Sequence, residues 1–317
     1  MKILVTGGAG FIGSNLCRRL ARESRVSDVV VLDDLSTGYR SNLEGTGVTL
    51  HEASLLDEER LAHAVRGCDA VIHLAALGSV PRSVANPVAT HEANARGTLN
   101  VLQAARAAGG LQVVLASSSS VYGANPALPK VEDMTCMPMS PYAVSKLAAE
   151  QYAVAFARCY DLPVLPFRFF NVYGPRQRAG HAYAAVIPVF VDAALRGLAL
   201  PVHGDGTQSR DFTYVDTVTE VLTQAVLRGV TSGPTNLAFG TRTDLTTVIQ
   251  TLEEVLGRRL AIDRMPSRPG DVPHSQADNA QLRRHFPDAA PFPLAEGIER
   301  TVTWMESLSR ARAGSAA

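Results

Sequence analysis

The sequence is short of several things, and each scarcity narrows the reading. Its 317 residues hold four cysteines, Cys17, Cys68, Cys136 and Cys159, spread widely with no CxxC pair. A zinc ribbon and a disulfide framework are set aside, and reduced thiols of a cytoplasmic protein are expected. Neither sign of charge is in excess, with 30 basic and 30 acidic side chains. That balance provides no general attraction to nucleic acid or an anionic membrane, so a bound phosphate must be held locally by arginines and backbone amides. No apolar run approaches the roughly 20 residues needed to span a bilayer. Met1 leads straight into Lys2-Ile3-Leu4-Val5, without the charged and apolar regions of a secretory leader.

What is present is alternation. Short apolar runs at 3–5, 29–32, 70–74 and 113–116 are separated by segments of helical spacing at 13–23, 57–66 and 91–108. Runs this apolar suit strands covered on both faces, and strand–helix alternation predicts a doubly wound parallel α/β sheet. A further strand is expected over Val164 to Phe170. Beyond Asn171 the texture changes to Gly, Pro and Arg, as in Gly174-Pro175-Arg176-Gln177-Arg178 and Gly204-Asp205-Gly206. The expectation is one domain over 1–170, completed by about 212–240, with a smaller α/β substrate domain over 171–317. The small polar residues from about Arg310 read as a frayed end.

Gly7, Gly10 and Gly13 form G-x-x-G-x-x-G between the first strand and the first helix. The first glycine permits a tight turn, the second a close backbone approach to a pyrophosphate, and the third close helix–strand packing. The helix N-terminus then offers free amides and a positive dipole end. Asp33 ends the second strand, twenty residues beyond Gly13. A carboxylate there accepts from ribose hydroxyls and repels a 2′-phosphate, which selects NAD over NADP; the plainer role for Asp33 or Asp34 is capping a turn. Together these features predict a Rossmann dinucleotide site. Asn94 is a candidate cofactor contact near the sheet edge, or a polar residue on a helix face.

Ser140-Pro141 reads as a helix start, with Ser140 as N-cap and Pro141 at the first position. Tyr142 and Lys146 then lie at i and i+4 on one face. A nearby ammonium is expected to lower the tyrosine pKa, letting the phenol take a proton from a sugar hydroxyl. Lysine can also hold the nicotinamide ribose. A serine at the strand end 117–120 can share that proton. Alone, YxxxK is a common chance spacing; beside a serine-rich strand end and a dinucleotide fingerprint it points to catalysis.

Taken together, TGGAGFIG, LDDLSTG, HLAA, SSSSVYG, SPYAVSK, RFFNVYGP, GDGTQSRDF and RPGD occur in the order found in extended short-chain dehydrogenase/reductases. The chain resembles that family from residue 2 to about 305, and within it the UDP-hexose 4-epimerases. The stretches LGSVPRS (77–83), LPKVED (128–133) and AYAAVIP (182–188) are similar to the bacterial UDP-N-acetylglucosamine 4-epimerase branch. The resemblance implies an isomerase that oxidises C4 of a UDP-sugar with bound NAD and reduces it from the other face. It implies Tyr142 as base and acid, Lys146 as its partner and Ser118 as the shared hydroxyl. For NAD it adds Phe11, Ile12, Asp34, Ser36, Thr37, Gly38, Leu55, Leu74, Ala75 and Ala76. Ser54 stands where the family usually has an adenine-binding aspartate, so backbone near Leu55 would serve instead. For the nucleotide sugar it implies Ser79, Ser118, Ser119, Tyr142, Asn171, Ala185, Val186, Gln208, Arg210, Arg268, Asp271 and Ser275.

Two positions bear on the sugar. Ser275 stands where epimerases restricted to glucose and galactose tend to have tyrosine, which leaves volume for a 2-N-acetyl group, and Gly78 replaces a common lysine. UDP-glucose and UDP-glucuronate remain alternatives, the latter through the segment 174–178. A 4,6-dehydratase would need an Asp-Glu pair where Ser119 and Ser120 stand. An inert NAD-binding regulator would typically lack the tyrosine or lysine. The family also implies a homodimer through the helices near 91–108 and Tyr142, with Ala93, Leu99, Leu102 and Ala153 as candidate seam residues.

Overall fold

Apolar, largely β-branched runs become the inner strands: β1 (Lys2–Thr6), β2 (Asp28–Asp33), β4 (Ala70–His73), β5 (Gln112–Ser118) and β6 (Val164–Phe169). The structure, a computed structural model, describes residues 1–179, 185–266 and 274–315. Among these, β3 (Thr49–Glu52) and β11 (Thr235–Leu237) complete a seven-stranded sheet in the order β11-β6-β5-β4-β1-β2-β3. Every pairing in it is parallel. Sequence patterning passes over β3 and β11 for different reasons. Strand β3 is a half-exposed edge, and β11 is buried but reads Thr-Asn-Leu, with no apolar run.

Helices cover both faces. On one, α1 (Phe11–Leu20) and α8 (Val215–Leu227) pack together over Ile3, Val5 and Val31. On the other, α2 (Glu58–Ala64), α5 (Gly97–Ala107) and α6 (Pro141–Tyr160) cover Leu4, Val30 and Val113. A fully buried leucine or isoleucine of this kind contributes roughly 1.5–3 kcal/mol. Leu102 and Ala153 are completely enclosed in this second cluster. They hold α5 and α6 to the sheet and are not available as a subunit seam, because i/i+4 apolar spacing marks a buried face without saying what covers it.

Past Tyr173 the chain builds a second cluster from α7 (Val186–Leu195), β8 (Leu200–His203), β10 (Thr213–Tyr214), α9 (Leu245–Leu256) and α11 (Leu294–Ser315). It then returns to the first body, where β11 pairs with β6 and the segment Ala280–Phe286 sends Leu282 and Phe286 into the α1/α8 core. That segment thus packs with the body opposite to the one its position in the chain suggests. No helix among the described residues is long and apolar enough to cross a membrane.

Neighbouring strands β1 and β4 send the chain in opposite directions, which opens a crevice beyond their C-terminal ends. The approach there is tight. A Cβ on Gly7 would lie 2.6 Å from Ala75 N, and one on Gly13 would lie 2.1 Å from Gly7 O. Backbone must shift to admit it, so Gly13→Ala is expected to cost about 1–3 kcal/mol and to empty the crevice of dinucleotide. Thermal unfolding, with cofactor released from the denatured protein measured by absorbance, checks both; a variant with unchanged melting and full cofactor content would contradict this packing.

Candidate functional site

The helix end at the crevice is built to receive an anion. Gly10 caps α1 without a side-chain hydrogen bond, and the first turn carries no acid. Its amides are therefore left for a ligand. Asp33, 7% exposed, closes the crevice at the end of β2: its Oδ2 accepts from Ala9 N at 2.9 Å and its Oδ1 from Leu35 N at 2.9 Å. Burial raises the Asp33 pKa, and those two amides pull it back. Each oxygen keeps a further lone pair for a ribose hydroxyl. Asp34 Oδ1 turns the loop by accepting from Ser36 N, and Gly38 packs on Ala9 with no room for a Cβ. Thr37 is exposed beside it. Ser54 caps its own turn, accepting from Leu56 N, while Leu55 O accepts from Asn100. Leu74 and Ala75 are laced to β1 through the Thr6 carbonyl and hydroxyl. A glycine cradle that a Cβ would fill, an uncapped helix end and an acid at the second strand end fit a dinucleotide.

Asn94, the candidate cofactor contact, is engaged by protein groups. It sits in a π-helical turn, Glu92–Arg96, that interrupts the helix leading into α5. Its amide accepts from Leu77 N at 2.8 Å and donates to Leu77 O and Ser145 Oγ. Asn94 therefore ties the loop after β4 to the helix bearing Tyr142; a single buried amide satisfies three protein groups and has little left to offer.

The same strap contains His73, which patterning marks only as a strand residue. Thr98 Oγ1 donates to Asn94 O at 2.6 Å, so it accepts from His73 Nε2–H at 2.9 Å. His73 Nδ1 is then bare and accepts from Thr6 Oγ1 at 2.6 Å. Burial, then the charge of Lys146, push the His73 pKa down to about 3.

Ser140 and Pro141 start α6 as expected, the Ser140 hydroxyl accepting from Ala143 N. Tyr142 meets Ser118 at the end of β5. Ser118 Oγ accepts from Ser120 N at 3.2 Å and Ser120 Oγ at 2.9 Å, which leaves its own proton for the phenol. Ser120, within the serine run 117–120 but not singled out in it, is a member of this chain. Burial raises the Tyr142 pKa and the Ser118 bond lowers it in part. The expected lowering by Lys146 is absent: Lys146 Nζ turns to Ala116 O at 2.9 Å, and burial brings its own pKa down to about 8. Sharing a helix face aligned the two residues without facing the ammonium to the phenol.

A second cavity, about 240 Å³, opens between the two clusters. Asn171, Ala185, Val186, Gln208 and Arg210 all line it, joined by Tyr173, Pro201, His203, Phe212 and Leu245, which were not singled out. Asn171 has φ +34° and donates to Asp211 O. Asp211, fully buried, accepts from Gly240 N, Thr241 Oγ1 and Ala277 N and so pins the loops behind this wall. Ser275 does not line the cavity; its N–H donates to Ser209 O, one residue before Arg210. Ser79 caps α3 (Val80–Ala85), and Ser119 begins the turn after β5. Arg268 and Asp271 lie outside the described residues.

The family model described as "NAD dependent epimerase/dehydratase family" matches residues 3–238. A UDP-glucose 4-epimerase of Mycolicibacterium smegmatis is 36% identical over 98% of this chain and 100% of its own length. A UDP-N-acetylglucosamine 4-epimerase from Methanobrevibacter ruminantium, solved with UDP-N-acetylmuramic acid, superposes with a TM-score of 0.92 at 35% identity, covering 97% of this chain and 98% of its own. A UDP-glucuronic acid 4-epimerase from Bacillus cereus, solved with UDP-glucuronic acid and NAD, gives 0.88 at 28% identity, covering 97% and 100%.

The His73 ring sets a pH dependence. Between pH 6.5 and about 3 the unfolded chain binds a proton on this ring that the folded chain does not. Stability therefore falls on acidification through that window, by up to about 1.4 kcal/mol per pH unit from this group. Urea unfolding of wild type and His73→Asn across pH 4–7 should show a shallower acid limb in the variant; parallel limbs would mean that the folded protein protonates the ring.

Proposed function

The chain belongs to the NAD dependent epimerase/dehydratase family, and from that premise we propose that it is a nucleotide-sugar 4-epimerase acting on UDP-N-acetylglucosamine and UDP-N-acetylgalactosamine. The observation that carries the reading is the Ser120–Ser118–Tyr142 hydroxyl chain at the dinucleotide crevice, with serine at both 119 and 120. A dehydratase needs an acid and a base to remove water across C5–C6; two hydroxyls do this poorly.

Gly7, Gly10, Gly13 and Asp33 would hold NAD, which when bound supplies the hydride acceptor and donor. Tyr142 removes the proton of the sugar 4-hydroxyl as the C4 hydride leaves, giving a 4-keto sugar. Ser118 donates to the phenolate oxygen and steadies it. After the keto sugar turns over, hydride returns to the opposite face of C4 and Tyr142 gives its proton back to the oxygen. Atoms and electrons balance with no net redox change. Asn171, Gln208 and Arg210 would keep the nucleotide diphosphate anchored while the sugar rotates; a guanidinium suits paired phosphate oxygens.

The N-acetyl sugar is favoured by the resemblance at Ser275, a small residue where epimerases restricted to glucose and galactose tend to carry tyrosine; its N–H donates to Ser209 O beside Arg210. A glucuronate reading draws on Gly174-Pro175-Arg176-Gln177-Arg178. Arg178 lies 3.6 Å over the Tyr39 ring and Arg176 donates to Asn15 on α1, so these cations are engaged on the dinucleotide side.

Proton NMR of the purified protein with UDP-N-acetylglucosamine and no added cofactor should develop the UDP-N-acetylgalactosamine anomeric signal. Tyr142→Phe should lower the rate by at least about a hundredfold, and Ser275→Tyr should suppress the N-acetyl sugar while sparing UDP-glucose. Conversion of UDP-glucose alone by wild type would sink the substrate assignment; conversion of neither sugar after adding NAD would move the reading to a glucuronate, a thymidine-linked sugar or a different outcome of the 4-keto intermediate.

The same reading carries a homodimer, on a face different from Leu102 and Ala153. Val144, Ala148, Tyr152, Ala155 and Cys159 form an uncharged stripe along the outer side of α6, and Val84 and Val88 stand 66% and 70% exposed on the short helices packed against it. A stripe running the length of one helix can pair with its own copy across a two-fold axis, which makes a second copy its occupant. Sedimentation should give twice the chain mass for wild type and a monomer for Tyr152→Glu; a monomeric wild type would remove the dimer.

A further inference from the structure

Glu150 and Arg168 form a charge pair that the reaction does not use. The two side chains are 0% and 3% exposed, with Arg168 Nη2 2.7 Å from Glu150 Oε1 and Nε 3.0 Å from Oε2. Burial acts to lower the Arg168 pKa, and its bonds and attraction to Glu150 more than reverse this, leaving it above its ordinary value. Glu150 Oε2 also accepts from Ser117 Oγ at 2.7 Å. Arg168 continues to Glu132 O at 3.0 Å and lies 4.7 Å over the Tyr122 ring.

The pair's place along α6 gives it a consequence. Tyr142, Lys146 and Glu150 are successive i, i+4 positions, so they share the face turned toward β5. Each reaches a different residue of that strand: Tyr142 meets Ser118, Lys146 meets Ala116 O, and Glu150 meets Ser117. The apolar contacts of the helix, Ala149, Ala153 and Phe156, are non-directional, and Ser145 and Lys146 anchor it by single hydrogen bonds to Asn94 and Ala116 O. A buried ion pair is directional. It often adds little to stability beside apolar groups of equal volume, but it can select one arrangement among several. Arg168 also stands three residues before Asn171 and opposite Ser117 in the sheet, so the bridge joins the carboxyl ends of β5 and β6.

We infer that the Glu150–Arg168 pair is a positioning device: it fixes the rotation of α6 over β5 and thereby seats the Tyr142 phenol on Ser118. The inference rests on the reading of Tyr142 as the catalytic base. The group facing that phenol from the packed elements is Ser118 on β5; the Lys146 ammonium on α6 is turned to Ala116 O, with His73 of β4 near it.

Removing one partner would leave a buried unpaired charge, so the test replaces both. The full-length holoenzyme carrying Glu150→Leu with Arg168→Met is compared with wild type for melting temperature, for kcat and KM on the sugar nucleotide wild type converts, and for ultraviolet difference titration of Tyr142, each protein referenced to its own Tyr142→Phe form. The expected result is a folded protein with kcat lower by about tenfold or more, KM within about twofold, and a Tyr142 titration about one pH unit higher. A folded double variant with wild-type kcat and titration would make the pair a stability element only and overturn the inference. Where the double variant does not fold, Ser117→Ala removes only the link to β5 and should move kcat and titration in the same directions by less; unchanged values there overturn it equally. The titration needs no turnover, so a wild type that converts no sugar nucleotide would end the epimerase reading while the phenol shift still decides the positioning role.

Discussion

The reversal of chain direction between β1 and β4 is the constraint on which the rest depends. Parallel neighbours that depart to opposite sides leave a gap at their carboxyl ends, and nothing in the sheet itself fills it. Gly7 and Gly13 let the first turn fold down against Ala75 until backbone touches backbone. That contact draws the α1 amides, Asp33 and the loop after β4 around one opening. On the proposed reading it also dictates where catalysis occurs, because α6 lays Tyr142 along the rim the glycines define.

Buried polar straps, more than apolar packing, carry this arrangement from strand to strand. One runs Ala75–Thr6–His73–Thr98–Asn94 and from Asn94 to Leu77 and Ser145. The other runs Ser117–Glu150–Arg168–Glu132. The links named in them run from protein donor to protein acceptor. An unpaired group at such depth would cost about 1–3 kcal/mol, so every link constrains its neighbours. Apolar clusters on the two sheet faces supply most of the cohesion, but a leucine tolerates small rotations that a bidentate guanidinium does not.

What was legible in the sequence follows from how local each signal is. Glycine spacing, the Ser140-Pro141 start and the apolar runs act within a few residues, and the structure has the turn, the helix and the inner strands where those signals stand. Asn171, Ala185, Val186, Gln208 and Arg210 were marked by motif order, and they meet around one cavity. Strands β3 and β11 escaped because their pattern is set by position in the sheet: an edge needs no apolar alternation, and β11 buries Asn236 by giving its amide to Lys130 O and Asp278 O. The hydrogen bonds of Asn94 and Ser120 were not legible for a related reason. Their roles depend on partners 17 residues away or on the direction of a hydroxyl proton, and no period in the chain encodes either.

The Tyr142–Lys146 spacing shows how far such local inference reaches. Four residues along a helix place two side chains on one face, yet a lysine has four rotatable bonds and follows the best acceptor, here Ala116 O. With the ammonium aimed at the strand, and its own affinity for a proton reduced to a pKa of about 8, charge proximity is a weak way to stabilise a phenolate at this site. Donors aimed at the oxygen are more effective, since a hydrogen bond acts at contact and in a fixed direction. With Tyr142 as the proposed base, its strength is consequently a matter of seating. Whatever holds α6 over β5 at the angle that keeps Ser118 on Tyr142 also sets how readily the phenol gives up its proton.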